Sequence, residues 1–276
     1  MFNRKELKER AKLVLLRSYS KIFLACLAVN IISGGGLNFS TRKLKTEDIL
    51  AMPPQKMFMA FLIFVALAFI AVALTIFVVS PLRVGLKRFM IENAENDARL
   101  DLLFAPFNDG YKNIVKVQFI KGLFITLWSI PAYLPTVAVG LLADKILPMY
   151  EGVKAGSVLA MAGFTGVVTL WLVLTLLLAV PSIIKRLQYI LVPYMLAENP
   201  ELDWKTALLR SKEMMVGNKW PYVKLILSFA LWYLAASLLC CIGGFLVLPY
   251  IEATVCEMYL ELSGKSKANI EADIEF

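Results

Sequence analysis

Apolar residues fall in unbroken runs along most of the chain, and the shorter charged stretches between them carry apolar positions at helical spacing. The longest run, MFMAFLIFVALAFIAVALTIFVV from Met57 to Val79, has the roughly 20 residues a helix needs to cross a bilayer, so it cannot be a surface helix. The pattern predicts six spans, at about 20–36, 57–80, 116–142, 157–181, 221–238 and 242–261. Gly34, Gly35 and Gly36 cut the first short, and only a tight turn at Cys241, Ile242, Gly243 and Gly244 separates the last two. The fold class is therefore expected to be all-α: a polytopic membrane helical bundle forming a single integral membrane domain over 1–276, with 265–276 as a short polar tail.

The charged stretches read as amphipathic helices on the cytoplasmic face or capping the bundle. In AENPELDWKTALLRSKEMMVGNKWPYVKL, Asp203 is an N-cap and Gly217 a C-terminal stop, while Trp204, Ala207, Leu208, Met214 and Met215 share one face. The N-terminal NRKELKERAKLVLLRSYSKIFL repeats the plan, with Asn3 and Glu6 as a capping box and an apolar stripe of Leu7, Ala11, Val14 and Leu15. A middle copy, LDLLFAPFNDGYKNIVKV, is shorter and interrupted by Pro106, yet Gly110, Tyr111 and Lys112 lead into a span as Gly217, Asn218 and Lys219 do. Each copy then runs through two spans to a proline, at Pro81, Pro181 and Pro249. This order of elements predicts three degenerate repeats, 1–92, 93–197 and 198–264, each an amphipathic helix followed by a membrane hairpin.

Charge sets the orientation. Of the 29 lysines and arginines, 23 lie in the N-terminal segment to Lys21, in 81–121, in 185–224 and at Lys265 and Lys267. The other side keeps only Arg42, Lys43, Lys45, Lys56, Lys145 and Lys154. By the positive-inside rule both termini are cytoplasmic and the number of crossings is even, in a multi-pass protein of the cell (plasma) membrane. The net charge of +8 thus reads first as topology and not as a nucleic-acid surface. Tyr19, Tyr111, Trp220 and Tyr222 beside the basic segments read as interfacial anchors. The expected partners are the lipid bilayer, anionic lipids included, and another membrane protein. Composition agrees, with 59% hydrophobic and 18% charged residues and a mean hydropathy of +0.69. No cleaved signal peptide is expected, because IFLACLAVNII follows a charged segment and no A-x-A-like site comes after it.

Candidate chemistry is sparse. There is no histidine, hence no common triad and no histidine metal site, and no phosphate loop. Neither a metal nor a cofactor is expected. Cys26, Cys240, Cys241 and Cys256 lie in apolar segments without ligand spacing and read as core residues. The acidic groups Glu92, Glu95, Asp97 and Glu198, Glu201, Asp203 sit at turns leading into helices, where they complement the helix start. Pro81, Pro131, Pro135, Pro181 and Pro249 are candidate helix kinks, those in the third span freeing carbonyls that need new donors. Ala160, Gly163 and Gly166 permit close helix packing. Aligning the repeats brings Arg83, Lys185, Arg186 and Glu252 together as a polar cluster. Glu252, an acidic residue inside an apolar run, then reads as a structural ion-pair partner, as a substrate or proton site, or as a membrane-border residue.

The stretches RKELKERAK, RVGLKRF, ENPELDWKTALLRSKEMMVGNKW and LPYIEATVCEMYLEL together resemble an uncharacterised family of bacterial integral membrane proteins, domain of unknown function 975. The resemblance covers nearly the whole chain and implies a six-helix membrane protein, mainly of Gram-positive bacteria, with no assigned activity and no functional residue to transfer. The RVG and PYIEAT stretches are similar to the membrane domain attached to some glycerophosphoryl diester phosphodiesterases. That similarity implies at most an association with lipid metabolism, since the hydrolysis belongs to a separate soluble barrel with histidines. Three functions stay open: a non-enzymatic accessory or scaffold protein binding membrane proteins or lipids, a small transporter or channel with a polar site near Glu252, and a membrane enzyme. The residue inventory favours the first and least supports the last.

Overall fold

The structure is a computed structural model and describes residues 2–34, 53–238 and 243–265. Its described residues are all-α. Helix α1 is Arg4–Ile32, α2 is Pro54–Leu74, and a π-helical turn Thr75–Val79 joins α2 to α3, Ser80–Glu95. A 3₁₀ turn at Leu100–Leu103 and the short α4, Ala105–Asn108, precede α5, Tyr111–Leu141. Then come α6 (Ala143–Lys154), α7 (Val158–Gln188), α8 (Val192–Glu198) and α9 (Trp204–Met214). Helices α10 (Lys219–Leu227), α11 (Ala230–Leu238) and α12 (Gly243–Leu262) complete the chain.

Among the described residues four helical stretches are long and apolar enough to cross a membrane: Arg4–Ile32, Gln55–Glu95, Tyr111–Leu141 and Val158–Glu198. This is a multi-pass membrane protein by length and composition. The expected fifth span is divided at Ser228 and Phe229 into α10 and α11, nine residues each and too short to cross singly. The expected sixth is α12, which carries Glu252 at its middle and Glu257 and Glu261 in its second half. Of the turn expected between them, Cys241 and Ile242 lie outside the described residues, as do Cys240, Gly35 and Gly36, while Gly243 and Gly244 begin α12.

The chain forms two compact units, one of Met1–Phe119 with Leu191–Phe276 and one of Ile120–Ile190. This division does not follow the boundaries of the expected repeats. In the first unit the core is built from α1, α3, α8 and the second half of α12, and hardly at all from the apolar runs. Helix α1 buries Leu7, Ala11, Ser18, Ile22, Ala25, Cys26 and Val29, a single stripe at helical spacing that packs along α12. Helix α12 answers with Ala253, Val255, Met258, Tyr259 and Leu260, α3 with Val84, Leu86, Phe89 and Met90, and α8 with Tyr194, Met195 and Leu196. Each large apolar side chain so buried contributes roughly 1.5–3 kcal/mol. By contrast, only 6% of the most apolar window of Gln55–Glu95 is buried, against 28% for α1. Phe64, Phe69 and their neighbours in α2 face outward, as lipid permits.

Local polar contacts decide how these helices meet. Backbone geometry leaves the helix at Ser18 (φ −137°, ψ 30°), and the break directs α1 onto the C-terminus of α3. There the Arg17 guanidinium donates to the carbonyls of Asn93, Glu95 and Asn96, three of the orphan acceptors that every helix end leaves. Lys21 pairs with Asp97 at 2.6 Å and holds that carboxyl below its ordinary range, so the contact is kept at neutral pH and lost only in acid. Pro81 cannot donate to the carbonyl of Phe77 four residues earlier, and the Tyr111 hydroxyl donates to that oxygen instead, at 2.9 Å. The α3 backbone also approaches the 3₁₀ turn so closely that a Cβ at Gly85 would lie 2.0 Å from the Leu103 carbonyl oxygen.

The amphipathic segments end as their sequences predict. Asn3 and Asp203 accept N-cap hydrogen bonds from the backbone amides of Lys5 and Lys205. Gly110 (φ +66°) and Gly217 (φ +74°) each turn the chain into the next helix through a left-handed conformation. Gly110 also lies against Pro200, while the Asn113 amide donates to the carbonyls of Pro200 and Leu202 at 2.8 and 2.9 Å.

The second unit is a helical hairpin with a helical connection. Helix α5 runs through Pro131 and Pro135 as one element, and the hydroxyls of Ser129 and Ser182 meet at 2.7 Å between α5 and α7. Helix α6 is an element the periodicity reading passed over as a connection, although Ile146, Met149, Tyr150 and Val153 have helical spacing. It folds back on α7, with Gly152 against Ala160 and the Tyr150 and Phe164 rings 5.8 Å apart.

Gly85→Ala is expected to destabilise the protein by about 2 kcal/mol or more through this overpacking. Gly166→Ala, where a methyl would meet open space, is expected to be neutral or stabilising by up to about 1 kcal/mol. Thermal unfolding in one detergent compares the two; equal melting temperatures would exclude the close approach at Gly85.

Candidate functional site

A lysine on an apolar stripe is the signal that locates the candidate site. In α3, Lys87 follows Val84 and precedes Met90 at helical spacing, and both of those neighbours are buried. Its side chain is 14% exposed and its ammonium pairs with the Glu252 carboxylate of α12, itself 27% exposed. Beneath the pair lies Tyr194 of α8, with the Lys87 Nζ 4.9 Å from the ring centroid. That ring stacks on Tyr259 of α12 at 5.0 Å, and the Tyr259 hydroxyl donates to Glu198 at 2.8 Å. Glu198 in turn accepts from Lys265 at 2.7 Å. Cation–π and charge contacts thus run through one packed layer of α3, α8 and α12.

Two further polar groups border this layer. Arg10 of α1 pairs with Glu261 and, at 3.3 Å, with Glu6, tying the amphipathic half of α1 to the end of α12. The Tyr194 hydroxyl is fully buried and has no hydrogen-bond partner among the described residues. Cys26 and Cys256 are free and buried. Among the described residues no group of three or more histidine, cysteine, aspartate or glutamate side chains is placed to hold a metal.

Of the polar cluster expected from the repeat alignment, Arg83 and Glu252 belong to the first unit, where Glu252 pairs with Lys87. Arg83 is exposed, and Lys87, one turn farther along α3, takes its place. The alignment paired positions by distance from each proline, whereas the pairing is fixed by where α3 crosses α12, one turn beyond. Lys185 and Arg186 belong to the second unit, where Lys185 lies 5.0 Å from the Trp128 ring centroid and 5.9 Å from that of Tyr189. Pro81 begins α3, Pro181 and Pro249 lie inside α7 and α12, and Pro135 lines an apolar cavity of about 270 Å³ between α5, α6 and α7.

Chemically, Lys87 and Glu252 form a neutralised pair closed off by aromatic rings, which suits it to fixing helix register. Glu252→Gln leaves a half-buried ammonium without its counter-charge and is expected to cost about 2 kcal/mol, less than for a fully enclosed pair. The double variant Lys87→Met/Glu252→Leu removes both charges and is expected to recover at least half of that loss. Melting temperatures in detergent test this; a double variant no more stable than the single one would refute the ion-pair account.

No curated protein and no solved structure matches this chain. The family described as protein of unknown function (DUF975) matches residues 1–266, nearly the whole length, and the chain belongs to that family.

Proposed function

We propose that this is a non-enzymatic accessory or scaffold protein of the plasma membrane that binds another membrane protein or lipids. The observation that carries this reading is the outward placement of apolar surface. In Gln55–Glu95, Tyr111–Leu141 and Val158–Glu198 only 6% of the most apolar window is buried, leaving long helix faces for lipid or for a partner's helices. Glu252, the residue on which a transport site would centre, is engaged by Lys87 inside a packed layer.

The same reading has six crossings and cytoplasmic termini. The fifth crossing starts from α10, which keeps Lys219 and Lys224 on the cytoplasmic side, and runs on through α11 with its exposed Leu231, Trp232 and Leu234, and α12 makes the sixth. Helix α6, with Lys145 and Lys154, then lies on the outer side, and α9 on the cytoplasmic side.

Two measurements test the proposal. Gentle extraction from the native membrane followed by native mass spectrometry is expected to retain a stoichiometric membrane protein or a defined lipid. A bare protein that moved a solute across reconstituted vesicles, with loss of transport in Glu252→Gln, would replace this reading with that of a transporter. In a background with the native cysteines replaced, Lys154→Cys is expected to react with an impermeant maleimide from outside intact cells. Glu213→Cys is expected to react only after permeabilisation, and the reverse pattern would overturn the topology.

A further inference from the structure

The start of α1 and the break between α10 and α11 border an open cavity of about 590 Å³ lined by Phe2, Asn3, Arg4, Lys5, Lys8 and Ser228. Three cations converge on it and no carboxylate lines it. Among the described residues none of Arg4, Lys5 and Lys8 has an acidic partner, whereas the neighbouring Glu6 is engaged by Arg10. Like charges one turn apart on a helix repel, and an anion between them removes that cost. Lys8 is further fixed by its ammonium lying 4.2 Å from the Phe229 ring centroid.

The change of polarity beside the cavity points to the kind of anion. Ser228 stands where the chain changes from charged to apolar: Lys219 and Lys224 lie on the preceding helix, and Leu231, Trp232 and Leu234 are exposed on the following one. Trp220, on the charged side of Ser228, is exposed, as tryptophans are at the level of lipid headgroups. The volume falls within the range of about 300–1,000 Å³ that small-molecule ligands occupy.

We propose that this cavity binds the phosphate-bearing headgroup of an anionic phospholipid, with Arg4, Lys5 and Lys8 holding the phosphate and the acyl chains lying along α11. The proposal rests on the lipid-binding reading above and gives it a site.

The full-length protein, stripped of native lipid in neutral detergent, is titrated with phosphatidylglycerol or phosphatidylcholine, and retained lipid is counted by native mass spectrometry. One phosphatidylglycerol is expected to bind in preference to phosphatidylcholine. Arg4→Gln/Lys5→Gln/Lys8→Gln is expected to weaken it at least about tenfold, while Lys112→Gln/Lys205→Gln/Lys212→Gln, with the same loss of charge away from the cavity, keeps it. Should the triple variant at the cavity lose its helical circular dichroism, Lys8→Arg and Lys8→Gln decide, the first binding as the native protein does and the second more weakly. Equal retention of both lipids, or equal loss in both triple variants, would overturn the site. Displacement of phosphatidylglycerol by millimolar glycerol phosphate or inorganic phosphate would overturn the lipid as the source of the anion. Lipid retained by the native protein and by the cavity variants alike refutes the site alone. A protein that leaves its native membrane with neither lipid nor partner refutes the functional reading beneath it.

Discussion

A leucine gains nothing by leaving lipid for the side of another leucine, and this decides where the chain can build an interior. The most apolar helix, α2, has no buried side chain among those described, with Phe58, Phe61, Phe64 and Phe69 all exposed. The packed core lies instead where the sequence is mixed, in the amphipathic half of α1, in α3 and α8, and in the second half of α12. Wherever one face of such a mixed helix meets water or headgroups, burial of residues such as Leu7, Phe89 or Met258 is again favourable. Amphipathic segments that look like accessories to the spans are therefore what holds the first unit together.

Polar groups enter this core, and several of them are accompanied by a partner that also fixes geometry. Arg17 covers the carbonyls at the end of α3, Tyr111 takes the carbonyl that Pro81 leaves without a donor, and Lys87 meets Glu252 over Tyr194. These contacts join elements far apart in sequence. They set where α1, α3, α8 and α12 cross, a matter on which apolar contact alone is permissive. The same arrangement leaves Arg4, Lys5 and Lys8 lining one open cavity with no carboxylate among its lining residues, the site proposed above for a phospholipid headgroup.

What the sequence by itself determined is local. The apolar run from Met57 to Val79 had to be a lipid-facing helix because nothing else satisfies its backbone in hydrocarbon. Asn3 and Asp203 as caps, and Gly110 and Gly217 as turns, follow from the bonding and steric freedom of those side chains within a few residues. Helix α6 was equally local in its spacing but was hidden by its brevity between two spans. The tertiary structure alone decided which groups meet across distance. Glu252 could be recognised as a residue in need of a partner, yet its choice of Lys87 over Arg83 depends on a helix crossing one turn from where the prolines align. Arg17 as the cap of α3, and Gly85 as the point where backbone meets backbone, are likewise visible only once the helices are placed. Periodicity records which face of a helix is apolar, but it carries no information on the angle and height at which two such faces cross.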